Sequence, residues 1–237
     1  MSETSMSKEY LGIADMMTGM MMVFMLIAVA FMLTVEASKN EIERQKDAMA
    51  EIAEMAERSR LQLNKELSEE FAGNLKAWNA EILKDNTVRF KAPKVLFKTG
   101  RSTLRRRFKS ILSDFFPRYI NILQRYASEI EAVRIEGHTS SDWLGANEMA
   151  TRYLNNVELS QQRALATLEY CYKDTSVTEK QRVWLRKVLR ANGLSFARLI
   201  LKADKTEDVE KSRRVEFKVV TKAEDRLYQI LERSRSE

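Results

Sequence analysis

One long apolar run near the N-terminus most constrains how this chain can fold. Residues 10–35 read YLGIADMMTGMMMVFMLIAVAFMLTV, and a charged stretch begins at Glu36. About 20 apolar residues suffice to cross a bilayer, so the run predicts a single transmembrane helix. A cleavable signal peptide has a basic front and a shorter apolar core, whereas residues 1–9 carry one Lys and two Glu. We therefore expect an uncleaved anchor preceded by a short tail at residues 1–9.

Asp15 is the one acidic side chain within this run. A carboxylate near the bilayer centre costs about 2.5–3.5 kcal/mol on insertion scales, and desolvation favours its neutral form. Such a group can take up a proton on one side of the membrane and release it on the other. The alternative is an Asp that caps the helix start or reaches the interface. Gly12 and Gly19 would let neighbouring helices approach closely. Because one span cannot form a pathway by itself, we expect a multi-span partner.

Residues 15–21, DMMTGMM, resemble the Asp-Phe-Met-Thr-x-Met-Met stretch of flagellar stator B subunits. The resemblance implies that Asp15 carries the translocated ion, H⁺ or Na⁺, with no other cofactor. It also implies a homodimer of B chains inside a ring of multi-span, MotA-like A subunits, in the five-to-two ratio of that family. The short tail departs from the flagellar pattern, in which the N-terminus is longer and more basic.

Residues 36–86 lack Pro, contain a single Gly and are predicted to form a helical linker. Its apolar residues recur at helical spacing, and they are Ile42, Met49, Ile52, Met55, Leu63, Leu67, Phe71, Leu75, Trp78 and Ile82. From Leu63 onward the spacing suits a helix that packs on a partner. That partner is either a second copy in a coiled coil or the following domain, and the repeat is too irregular for the heptad pattern to decide.

Residues 87–222 alternate short β-like runs with helical patterns, which predicts an α/β domain with helices packed on one sheet. The predicted strands are residues 88–90, 95–97, 132–139, 198–203 and 213–220. The predicted helices are residues 105–126 with a break near Pro117, residues 147–172, and residues 178–191 ended by Asn192 and Gly193. A last helix at residues 222–233 accounts for most of a C-terminal segment at residues 223–237.

Three ordered motifs in this domain resemble the OmpA-like peptidoglycan-binding family. They are IEGHT at residues 135–139, NVELSQQRA at residues 156–164 and RRVEF at residues 213–217. The family fold is a mixed sheet with helices, and it binds the stem peptide of the cell wall without a covalent bond. The resemblance implies that the wall peptide is bound by Asn155, Asn156, Leu159, Arg163, Ser140 and Asp142.

The chemistry of these residues suits a peptide that presents carboxylates and an amine. Arg163 can bind a carboxylate through two parallel hydrogen bonds, although it could instead cap a helix or form an ion pair within the domain. The family Asp that would pair with the ligand amine is replaced by Ser140, and Asp142 follows two residues later. Either wall affinity is weaker than in the family, or Asp142 takes the missing role.

The composition excludes several other kinds of site. One His, His138, and one Cys, Cys171, exclude a multi-histidine motif, a Cys-rich metal site and an intramolecular disulfide. No nucleophile accompanies His138 at a readable spacing. We therefore expect no metal site and no enzyme activity, with His138 structural and Cys171 buried. Nucleic-acid binding is not expected, and the basic run is expected to be solvated surface: Arg101, Arg105, Arg106 and Arg107.

Together these features predict the peptidoglycan-anchored B subunit of an ion-driven inner-membrane motor, with protons the preferred ion. The N-terminus would be cytoplasmic and the C-terminal domain periplasmic. The Met-rich span, the short tail and the altered Gly-His-Thr-Ser motif resemble the B subunits of Zorya anti-phage systems more than those of flagella. Two alternatives stay open, a flagellar MotB-like stator subunit and a non-motor OmpA-like wall tether in which Asp15 is incidental.

Overall fold

A computed structural model of the chain describes residues 3–91, 93–98, 100–146, 148–174 and 176–223. The chain divides into two compact units, of which the first includes Met1–Ala53 and the second is Glu54–Arg226. Helix α1 (Glu3–Phe71) contributes residues to both units. The helix predicted at residues 222–233 falls almost entirely outside the described residues.

The first unit contains the predicted membrane span. Among the described helices, α1 is the one that is long and apolar enough to cross a membrane. Its large apolar side chains from Ile13 to Val35 are each about half exposed or more. A helix that is apolar on all sides needs lipid or other helices around it, so this exposure fits the predicted transmembrane segment.

The second unit is built on a mixed five-stranded sheet. Its elements after α1 are α2 (Leu75–Trp78), β1 (Ala80–Ile82), β2 (Val88–Phe90), α3 (Pro93–Leu96), α4 (Arg106–Gln124), β3 (Ile130–His138), α5 (Met149–Lys173), α6 (Glu179–Val188), β4 (Leu189–Gly193), α7 (Val209–Ser212) and β5 (Arg214–Thr221). The strand order is β1-β2-β5-β3-β4. The pair β3–β4 is parallel, whereas β1–β2, β2–β5 and β3–β5 are antiparallel. This confirms the predicted α/β class with helices on a mixed sheet.

An aromatic cluster holds the sheet, α4 and α1 together. Phe115 of α4 lies 5.0 Å from Phe217, 5.1 Å from Phe90 and 5.2 Å from Phe71, measured between ring centroids. All four rings are fully buried. Each such pair adds about 0.5–1.5 kcal/mol beyond its area burial, so this cluster is the energetic centre of the unit.

The end of α1 is part of this core. Leu63, Leu67 and Phe71 are 3%, 0% and 0% exposed. Two partners were left open for this segment, a second copy of the chain or the following domain. The structure shows that the segment packs against the following domain. Ile42 and Met55 remain 64% and 49% exposed in the single chain, so the upstream part of the linker is still available to a partner.

The linker ends in a strand that the sequence did not predict. Residues up to 86 were expected to be helical, but α2 stops at Trp78 and β1 pairs with β2. Asn79 adopts a left-handed conformation with φ of 52° and turns the chain out of the helix. Asn tolerates this conformation better than most residues, and the apolar spacing alone could not show it.

The break predicted at Pro117 is wrong, because α4 runs through it. An interior Pro costs a helix about 3 kcal/mol. On either side of Pro117, Phe116, Tyr119 and Ile120 are fully buried. Burial of each such side chain contributes about 1.5–3 kcal/mol, so tertiary packing outweighs the local penalty.

Three other predicted elements are also wrong. Residues 95–97 were expected to be a strand, but Pro93 begins a short helix there, as Pro favours a first helical position. The helix predicted to reach residue 191 ends at Val188, since Leu189–Gly193 pairs in parallel with β3. Residues 198–203 form no strand, because the chain reverses at Lys202–Lys205 and Leu201 pairs only with Glu207.

Candidate functional site

Two paired glycines let α5 lie directly on the sheet. Gly137 of β3 and Gly193 of β4 are register neighbours. A Cβ atom on Gly137 would lie 2.3 Å from the Ser160 carbonyl oxygen, and one on Gly193 would lie 2.3 Å from the Gln161 backbone nitrogen. The backbone N–H of Ser195 also donates to Ser160 Oγ at 2.9 Å. This close contact fixes the distance of α5 from the sheet and its rotation about its own axis. Helix α5 carries four of the predicted wall-binding residues.

Arg163 of α5 is a buried cation with no counter-charge in the part of the chain that the structure describes. It is 8% exposed, its Nε donates to the Arg101 carbonyl oxygen at 3.1 Å, and its guanidinium lies 5.0 Å from the centre of the Phe97 ring. Burial, together with the nearby Arg213, lowers the pKa of Arg163 to about 10. No described carboxylate pairs with it, so this position favours a bound anion.

Arg213 supplies a second cation that the sequence analysis did not assign to the site. Its Nε donates to Ser140 Oγ at 2.8 Å, and its guanidinium lies 3.8 Å from the Asp142 carboxylate. Ser140 is 2% exposed, whereas the Asp142 side chain is 60% exposed. The sequence did offer a signal for Arg213, the first Arg of the RRVEF motif. It directly precedes a strand and therefore lies at the end of that strand, where loops meet.

Asn156 ties α5 to the loop that follows β3. It is 2% exposed, and its Nδ2 donates to the carbonyl oxygens of Arg152 and Asp142 at 3.0 Å and 3.4 Å. Through Arg213, the structure therefore brings Ser140, Asp142, Asn156 and Arg163 into one neighbourhood.

The two remaining predicted wall-binding residues lie on the same helix. Leu159 is 8% exposed and Asn155 is half-buried. Neither has a hydrogen bond to that set within the described part of the chain.

Asp15 lies on a face of α1 that includes three small residues. Gly12, Thr18 and Gly19 are three or four positions away, which places them on the same side of the helix. A Cβ on either glycine would meet nothing within 4 Å, and Thr18 Oγ1 donates to the Ala14 carbonyl oxygen at 2.8 Å. The Asp15 side chain is exposed and pairs with no described residue of this chain. This face leaves room for another helix next to the carboxylate.

A separate polar group is buried in the sheet. Glu136 and His138 of β3 and Glu216 of β5 bring ligand atoms within 4.8 Å of one another, as residues that hold a metal ion do. Burial alone would raise the pKa of Glu216, but His138 and Arg214 hold it well below its ordinary value. The single His and the single Cys predicted no metal site. Because Glu216 is far from Glu136 and His138 along the chain, no spacing rule could have revealed this group.

Two smaller expectations are confirmed. Cys171 is 1% exposed, and its burial raises the pKa of its thiol well above the ordinary value, which makes it a poor nucleophile. The predicted basic surface is exposed at all four positions, Arg101, Arg105, Arg106 and Arg107.

No protein-family model matches the chain. The chain is 42% identical to the Zorya protein ZorB of Escherichia coli over 227 residues, which cover 95% of this chain and 93% of that protein. A MotB-like protein from Desulfovibrio vulgaris shares the fold, with a TM-score of 0.50 and 22% identity over 70% of this chain and 96% of that one. The cell wall anchor of the T6SS from Pseudomonas aeruginosa aligns with a TM-score of 0.46 and 21% identity, over 65% of this chain and 96% of that one.

Proposed function

This chain belongs to the family of the Zorya protein ZorB, and we propose that it is the wall-anchored B subunit of an ion-driven inner-membrane motor in anti-phage defence. The observation that carries the proposal is the extent of the 42% identity, which spans 95% of the chain and so includes both the segment with Asp15 and the domain with Arg163. The same identity favours a Zorya role over a flagellar stator role.

The proposed wall site is the neighbourhood of Arg163 and Arg213. Stem peptides of peptidoglycan present free carboxylates, and guanidinium groups bind carboxylates through paired hydrogen bonds. Arg163 has no described carboxylate partner and is mostly desolvated, which strengthens its attraction for an anion. The exposed Asp142 carboxylate near Arg213 is the group proposed to pair with the ligand amine. Ser140 then orients Arg213 instead of contacting the amine itself.

Arg163→Ala is expected to lower retention of the full-length chain on purified sacculi by at least tenfold. Truncating one partner of a buried charged pair costs about 2–5 kcal/mol, and each 1.4 kcal/mol is about tenfold in affinity. Arg190→Ala is the matched control, because Arg190 lies in the same domain with a side chain 47% exposed that pairs with Glu131. Equal retention of both variants would refute the assignment of Arg163 to the ligand.

The proposed membrane role rests on Asp15 and the small-residue face around it. We place the N-terminus in the cytoplasm and the second unit in the periplasm, where the wall is. Two copies of the chain would stand inside a ring of multi-span A subunits, five to two, with Asp15 carrying the translocated proton. Small residues let helices approach closely within lipid, which would seal the carboxylate from lipid and give it access to a pathway.

Co-purification in mild detergent tests this arrangement. The wild-type chain should be recovered with several copies of a co-expressed multi-span A subunit. Gly19→Leu should reduce this recovery, because a branched side chain would fill the face next to Asp15. Met32→Leu is the matched control, because Met32 is 69% exposed and the substitution keeps this position apolar. Recovery of the wild-type chain alone would instead support a simple wall tether.

A further inference from the structure

Three ionisable side chains meet on the face of the sheet that points away from α5. Gly137 faces α5, and residues alternate between the two faces of a strand. Glu136 and His138 therefore share the opposite face. Glu216 is the register partner of Glu136 on β5, so it joins them on that side. This group is distinct from the proposed wall site, although Ser140 follows His138 by two residues.

Several polar atoms of this group are buried and lack hydrogen bonds. The side chain of His138 is fully buried, and neither ring nitrogen has a hydrogen-bond partner among the described residues. Glu136 is 3% exposed, and its Oε2 likewise has no hydrogen-bond partner in the described chain. Buried polar atoms in proteins are nearly always satisfied, and a bound ion is one of the explanations for a group that is not.

The distances between these atoms suit shared coordination better than hydrogen bonding. His138 Nε2 lies 3.5 Å from Glu216 Oε2 and 3.7 Å from Glu136 Oε2. A charge-assisted hydrogen bond from an imidazolium would be about 2.7–2.9 Å long, and a single N–H cannot serve two carboxylates well. Ligand atoms at 2.0–2.2 Å from a tetrahedral Zn²⁺ are about 3.4 Å apart, close to the two separations measured from His138 Nε2.

The surrounding charges leave the inward-facing oxygens available. Arg214 Nε and Arg89 Nε both donate to Glu216 Oε1, at 2.6 Å and 2.7 Å. Arg89 is also paired with Glu81. The two guanidinium groups thus hold Oε1 of Glu216, fix the orientation of its carboxylate and leave Oε2 on the side of His138. Outer contacts of this kind commonly orient metal ligands.

We propose that Glu136, His138 and Glu216 bind a divalent transition-metal ion of the zinc type. Neutral imidazole and carboxylate are both ligands that such ions accept, and a water molecule would complete the coordination. The ion would join β3 to β5 immediately beside Ser140 and Arg213. Its binding would therefore stabilise the domain at the edge that carries the proposed wall site.

The single His makes the proposal easy to test, because every imidazole-dependent signal must come from His138. The full-length chain, purified in detergent with a tag that lacks His and stripped with a chelator, is incubated with Zn²⁺ and desalted. Elemental analysis should give about one Zn²⁺ per chain, and the unfolding temperature should rise with Zn²⁺ concentration, since a ligand that binds only the native state stabilises it. Absence of bound Zn²⁺ in the wild-type chain would overturn the proposal.

His138→Gln and Glu136→Gln should each abolish both signals. Glu131→Gln is the matched control, because Glu131 lies on the same strand and is paired with Arg190 on β4. Substituting Co²⁺ in the wild-type chain gives a readout that does not depend on how the variants fold. Visible bands of tetrahedral Co²⁺ without a thiolate charge-transfer band would support the site. A thiolate band would place the metal on Cys171 and refute it.

Discussion

Replacing Asp15 with Asn is expected to abolish phage protection in cells that carry the complete set of partner genes. An amide has nearly the size of the carboxylic acid but cannot gain or lose a proton in the physiological range. Asp15 is exposed on α1 and pairs with no described residue of its own chain, so its loss removes no intramolecular contact. Plaque counts should therefore rise to those of cells that lack the protein, with the chain still present in the membrane.

Asp47→Asn is the matched control for this experiment. Asp47 is also exposed on α1, but it lies beyond the apolar run, so this variant should protect as well as the wild type. The Asp15→Asn chain should still be recovered with A subunits and retained on sacculi, which would confine the defect to ion transfer. Full protection by Asp15→Asn would refute the ion-coupled role and leave wall tethering as the remaining function.

Gly137→Ala is expected to destabilise the second unit by about 1–3 kcal/mol or more, the usual cost of an overpacked core. The added methyl group would lie 2.3 Å from the Ser160 carbonyl oxygen. Because the obstacle is backbone rather than a flexible side chain, α5 must move away from β3 to accommodate it. The movement would displace Asn156 and Arg163 together, so retention on sacculi should fall along with the unfolding temperature.

Gly73→Ala separates this effect from the general cost of replacing a glycine. A Cβ on Gly73 would meet no atom within 4 Å, so that variant should unfold within a few degrees of the wild type. Thermal unfolding of the full-length chain in detergent, followed by circular dichroism, measures both. An unchanged unfolding temperature for Gly137→Ala would mean that α5 does not rest on the sheet as described.

The membrane span and most of the domain could be predicted because their signals are local. The apolar run at residues 10–35 contains a single acidic residue, and the strand around Ile135 alternates apolar and polar residues. The resemblance of three motifs to the OmpA-like family added the expectation of a mixed sheet with helices. Arg163 and Asn156 could be predicted as residues of the proposed wall site because they lie inside one of those motifs.

The features that were missed depend on partners far apart in the sequence. β4 has the sequence LRANG, which has little intrinsic strand preference, and it is a strand because β3 lies beside it. Arg213 joins the site through Ser140, which lies 73 residues earlier. Glu216 reaches His138 only after β5 has paired with β3. Such contacts arise from the topology, and no spacing rule along the chain reveals them.

The burial of the end of α1 has a mechanical consequence. Leu63, Leu67 and Phe71 are anchored among the aromatic rings of the domain, and the Glu66 carboxylate accepts hydrogen bonds from Arg125 and Tyr126 at 2.6 Å and 2.7 Å. Tension that reaches the domain through this helix must slide many packed side chains past one another at once. A loop at the same place would extend under the same force. The packed end of α1 therefore connects the domain to the rest of the helix stiffly.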